Sequence, residues 1–353
     1  MRRVCLGIAL TIALCAAFPS AGFAQDGPYK VLKAAKVGGE GGFDYVYADP
    51  DGRRLYVPRM GNPGRVSAYN LDTQEMVGEI ANVSGHGAAV DPKSGHGFAS
   101  SNPVAMWDTK TLALIKTIEV QGGPDGILFD PFNQRVWVFS HRAPNATVIN
   151  SVDGTVMGTV DLGGAPEQAV TDGKGKLYVD LEDQNKIAVV DAAAMKVTGT
   201  YDLAGKGGGP GGLAFDVKNH VLFASCHEPA VMVMVNSDTG KILDTLPIGS
   251  GTDGATFNPA TMEAFSSNGD GTLTIIKENS PTSFVVEQNL KTMTRAKTLT
   301  LDSKTNHILL IAAESAPPAA PPAGTPPPAA GGRGFGRGGA MVPGSFTILV
   351  VGK

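Results

Sequence analysis

Apolar positions in this chain come in short alternating runs, such as Leu55-Tyr56-Val57, Val136-Trp137-Val138-Phe139 and Leu177-Tyr178-Val179, separated by polar, glycine-rich turns. A period of two predicts half-buried β-strands, and few stretches carry the apolar spacing of an amphipathic helix. Strands this short and this evenly spread predict an all-β protein built from a repeat.

The repeat has one anchor, an Asp or Asn that ends a strand and opens a turn ahead of the next strand. The anchors are Asp49, Asp91, Asp130, Asp172, Asp216, Asn258 and Asp302, separated by 42, 39, 42, 44, 42 and 44 residues. That period, with four short strands per unit, predicts a seven-bladed β-propeller, in which radial repetition buries both faces of each small sheet. The fourth unit is the clearest: Lys176-Leu177-Tyr178-Val179, then Lys186-Ile187-Ala188-Val189-Val190-Asp191, then Lys196-Val197-Thr198-Gly199-Thr200-Tyr201. These units resemble the YVTN-type β-propeller repeat family, and the resemblance covers about residues 29 to 353. It implies the fold and leaves the activity open.

The last unit supplies strands around Ile308-Leu309-Leu310-Ile311 and Phe346-Thr347-Ile348-Leu349-Val350-Val351 and then lacks a fourth. The segment from Tyr29 to Val37 is expected to close that blade, pairing an edge that would otherwise invite aggregation. One propeller domain over 25–353 is thus expected.

Composition adds an address and an insertion. Met1-Arg2-Arg3, the apolar run Val4 to Phe18 and the small residues Ala21-Gly22-Phe23-Ala24 predict a signal peptide over 1–24, hence a periplasmic or secreted protein. The run is too short to span a membrane, so no span is expected in the mature chain. Cys5 and Cys15 would leave with the signal, so Cys226 has no partner for an internal disulfide and is expected to be a small buried hydrophobe. Residues 315–344, rich in Pro, Ala and Gly with Arg333 and Arg337, are expected to form a disordered insertion in the last blade. Net charge is −4 with mixed signs, and no basic stripe points to nucleic acid. A monomer is expected.

Candidate chemistry follows from the repeat register. Five residues before each anchor stand Asp44, His86, Asp125, Glu167, Gly211, Asp253 and Lys297. Where the second strands end stand Met60, Asn102, His141, Glu182, His227, Gly269 and Ala313, with Arg59 and Asn268 one position earlier. In a propeller both positions ring one mouth of the central channel. Asp44, His86, Asp125, Glu167 and Asp253 are candidate metal ligands, and carboxylates with imidazole would suit calcium, magnesium or zinc. His141, His227 and Glu182 are candidate proton-transfer residues beside such a metal. Arg59, Asn102, Asn268 and Lys297 are candidate ligand contacts.

Gly122-Gly123-Pro124-Asp125-Gly126 is similar to the blade openings of propeller lactonases and streptogramin lyases. That local likeness implies a metal-assisted hydrolase or lyase acting on a lactone or similar cyclic ester. The complete repeat, without a nucleophile triad, phosphate loop or Cys-rich zinc spacing, points instead to a binding scaffold that presents the mouth to a protein or small molecule. Polar residues solvating a water-filled pore would produce the same composition. The residues alone leave these readings open.

Overall fold

A computed structural model describes residues 26–203, 205–316 and 341–353. The expected signal segment, 1–24, and most of the insertion lie outside the described residues. Seven antiparallel four-stranded sheets form the blades of a ring. Their inner strands are Tyr47–Asp49, Gly85–Asp91, Pro124–Asp130, Pro166–Thr171, Pro210–Asp216, Thr252–Asn258 and Leu299–Asp302. No helix among the described residues is long and apolar enough to cross a membrane.

The anchor residues explain themselves locally. Each turns the chain out of an inner strand by accepting a nearby backbone N–H on its side-chain oxygen: Gly52 on Asp49, Lys93 on Asp91, Phe132 on Asp130 and Lys174 on Asp172. Lys218 on Asp216, Ala260 on Asn258 and Lys304 on Asp302 complete the series. A short polar side chain that bonds its own following backbone is the chemistry that selects Asp or Asn at a turn. Several anchors also join blades, as where Ser151 Oγ donates to Asp91 Oδ2 at 2.7 Å and Arg53 grips Asp302 at 2.8 and 2.9 Å.

Apolar residues of the second and third strands then pack between blades, with one buried cluster at each of the seven junctions. Leu309, Ile311 and Ile348 of the last blade meet Leu55 and Tyr69 of the first, while Tyr178 and Leu222 join the fourth to the fifth. Trp107 and Trp137 are fully buried in such clusters, as is Cys226.

The ring closes as the sequence predicts. The strand Lys30–Lys36 pairs antiparallel with Thr347–Gly352, from Lys30 opposite Gly352 to Lys36 opposite Thr347. Tyr29 fastens this strand to the sixth blade: Gln288 bonds both its backbone N–H and its carbonyl, and its hydroxyl donates to Glu263. Lys353 Nζ reaches the same carboxylate at 2.7 Å. The roots of the insertion meet in a bridge between Ser315 and Met341.

Candidate functional site

The two rings predicted from the register converge on one mouth. Asp44, Asp125, Glu167, Asp253 and Lys297 from inner strands or their approaches line a basin of about 220 Å³ with His141, Glu182 and His227 from the second ring. A contiguous recess of about 420 Å³ adds His86 and Asn102 beside Asp125 and His141. Every blade contributes at least one of these residues.

Glycine is required where the rings interlock. A Cβ on Gly211 would stand 2.8 Å from His227 Nε2, so the fifth blade leaves the inner ring bare because the outer ring fills that space. Gly122, at φ +72°, and Gly126, whose Cβ would meet the Glu167 carbonyl oxygen at 2.5 Å, bracket Asp125 for the same steric reason.

Asp125 is the hub. His86 Nδ1 hydrogen-bonds Asp44 Oδ2 at 3.0 Å and lies 3.2 Å from Asp125 Oδ1, a buried oxygen that forms no hydrogen bond among the described residues. His141 Nδ1 hydrogen-bonds Glu167 Oε2 at 3.0 Å, and its Nε2 lies 3.7 Å from Glu182 Oε2. Two sets of donor atoms, Asp44–His86–Asp125 and Asp125–His141–Glu167, each lie within 4.8 Å of one another. Asp125 belongs to both.

The basin is acidic, with five carboxylates against Lys297. Burial, then repulsion from Glu167 and Asp44, pushes the Asp125 carboxyl up to about 6. The hydrogen bond to Glu167 raises His141 to about 9, and the bond to Asp44 raises His86. Burial opposes the charge on Asp44, yet His86 and Lys297 hold it below the ordinary carboxylate range. Lys297 contacts Asp253 and lies 3.3 Å from Asp44. Burial disfavours its charge, but the two carboxylates outweigh that and keep it protonated. Burial raises Asp253, and Lys297 opposes the shift. With the ammonium in direct contact, we describe the pair as ionised.

Two of the predicted ligand contacts are corrected. Arg59 is 1% exposed and stacks its guanidinium 3.8 Å over the Phe346 ring. Asn268 is fully buried and bonds Ser266, Thr272 and Thr274. Both end their second strands, and the rim begins one residue later, at Met60 and Gly269. Asn102 and Lys297 do face the mouth.

The sequence reading missed Tyr45 and Gln168, which line the central channel. Tyr45 donates to Glu167 Oε1 at 2.6 Å, and Gln168 Oε1 accepts the Leu213 and Ala255 N–H groups. A signal was present: four residues before the anchor the other units carry Gly87, Gly126, Gly212, Gly254 and Thr298. Large side chains at a glycine-rich repeat position mark a departure from the repeat.

Fold and site together define a seven-bladed β-propeller with a polar, carboxylate-lined mouth. A chain from a crystal structure of the mitotic checkpoint complex matches it over 86% of this chain and 95% of that one, at 12% identity and a TM-score of 0.68. That likeness shows the fold alone. No protein-family model matches the sequence, and no curated protein sequence does.

Proposed function

We propose that this chain is an exported binding propeller, of the YVTN-type kinship its repeats suggest, whose channel mouth holds a divalent cation and through it a small ligand. The observation that supports this is Asp125, shared by two His–carboxylate donor sets and carrying a buried oxygen with no hydrogen bond among the described residues and only the ion-pair contact of His86 at 3.2 Å. Five carboxylates outnumber the positive groups that face them, Lys297, His86 and His141, which favours a cation, and an imidazole in each set suits zinc or another first-row divalent ion better than calcium or magnesium. The Asp125–His141–Glu167 set is the better of the two, because Glu182 and His227 line the same basin while Lys297 already neutralises Asp44. Elemental analysis of protein purified without chelator, followed by calorimetric titration of the stripped protein with Zn²⁺, tests the reading. A stoichiometric ion that Asp125→Asn abolishes is expected; absence of both bound and titratable metal would sink it.

A metal-assisted hydrolase or lyase acting on a cyclic ester is the second reading. It is favoured by His141 if the cation sits in the Asp44–His86–Asp125 set, since His141, held protonated by Glu167 beside Glu182, would then act as the proton donor to a leaving oxygen. A panel of esters and lactones, assayed against His141→Gln, tests it.

A further inference from the structure

A larger cavity opens beside the basin, and Lys297 is the wall between them. It has a volume of about 530 Å³, within the range of small-molecule sites, and its apolar surface comes from Phe43, Met60, Ala313, Met341 and Pro343. Three charged side chains complete it: Glu40, Arg295 and Lys297. Arg295 donates to Ser315 Oγ at 2.8 Å and has no carboxylate partner among the described residues. One aromatic ring and two flexible thioethers form a wall that adapts to an apolar body of variable shape.

We propose that this side chamber seats the apolar body of a small carboxylic acid whose carboxylate reaches past Lys297 to the cation in the basin. The inference rests on the cation proposed above, and electrostatics says why. Without the ion, a carboxylate approaching Lys297 meets Asp44, Asp125, Glu167 and Asp253 and is repelled. With the ion, its two charges offset part of that repulsion and offer the carboxylate a direct bond, and Lys297 adds to the attraction. Glu40 and Arg295 are both exposed, where water screens them alike. A neutral analogue with the same body gains only the apolar contacts, so its binding should not depend on the ion.

The test uses 4-phenylbutyrate and its neutral counterpart 4-phenylbutanol, titrated calorimetrically into Zn²⁺-loaded and chelator-stripped protein. Saturable butyrate binding is expected in the loaded protein, weakened about tenfold or more by stripping, while the alcohol binds weakly and equally in both. Met60→Glu and Met341→Glu each place a charge in the chamber, and either should abolish butyrate binding while leaving the zinc stoichiometry unchanged. Met341 lies outside the blade strands, which guards against misfolding of the Met60 variant. Absence of saturable binding to zinc-loaded protein, or binding that neither substitution weakens, would overturn the chamber. Should no zinc bind while butyrate still binds and Met341→Glu abolishes it, the carboxylate-to-ion contact falls together with the cation reading, and the chamber is an apolar site only.

Discussion

Tyr45 and Glu167 meet inside the channel: the phenol of the first blade donates to the carboxylate of the fourth at 2.6 Å, directly beneath the mouth. Since His141 takes the other oxygen of Glu167, both of that carboxylate's oxygens are fixed before any ligand arrives. Tyr45→Phe should leave the ring intact but cost about 1.5–3 kcal/mol, as expected for a hydrogen bond to a charged acceptor. Urea denaturation of the two proteins measures it.

The titration of the mouth gives a pH signature. Asp125 is raised to about 6 and His141 to about 9, so in the folded, metal-free protein both bind protons more tightly than when unfolded. Asp125's contribution to stability is therefore full below its unfolded pKa and falls as pH rises through about 6. That of His141 is full below its ordinary value and is lost as pH rises through about 9. A cation competes for the same atoms, so its affinity should climb from pH 6 to pH 9, the opposite slope. Calorimetric titrations at pH 5.5, 7.5 and 9 check the sign.

Asp125→Asn should separate stability from binding. It removes a crowded charge, so above pH 6 the metal-free variant should match or exceed the parent, by up to ~2 kcal/mol. It should also lose the stabilisation that zinc confers on the parent. Thermal melts with and without zinc read both effects.

Gly211→Ala tests the interlocking of the two rings. A methyl group 2.8 Å from His227 Nε2 must push the imidazole aside, while the glycine's backbone needs no positive φ. A normal circular dichroism spectrum with zinc affinity reduced about tenfold is expected.

At the junction between the last and first blades, Asp302 is nearly buried and takes a two-pronged grip from Arg53. Asp302→Ala removes one of the two carboxylates that Arg53 holds, Asp72 remaining at 2.6 Å, together with the turn cap, and should cost about 1.5–3 kcal/mol. A lowered urea midpoint, with an unchanged zinc stoichiometry in the folded protein, is the expected result.

The fold was legible because the anchors perform one job seven times: an Asp or Asn side chain caps its own turn, and that local chemistry repeats wherever a blade does. The rings were legible for a related reason, since a repeat register carries a residue to the same height in every blade. What the register could not carry was side-chain direction at the ends of strands. Arg59 and Asn268 stand one residue short of the rim, and that single step turned them into the core rather than the mouth. Tyr45 and Gln168 stood out only as large side chains at a glycine-rich repeat position, and the partners that give them a role, Glu167 for Tyr45 and Leu213 and Ala255 for Gln168, lie in other blades. The side chamber was hidden similarly, built from Phe43, Met60, Arg295 and Met341, far apart in the chain.

The contact between Lys297 and Asp44 has a consequence for the order in which the mouth can be made. Asp125, His141 and Glu167 belong to adjoining blades and can come together while the chain is still emerging. Asp44 can meet His86 of the next blade just as early, but its second counter-ion, Lys297, is made some 250 residues later. Biogenesis therefore leaves the two halves of the mouth unequal in age: one donor set can form early, and the other gains its neutralising lysine only when the final blade docks against the first.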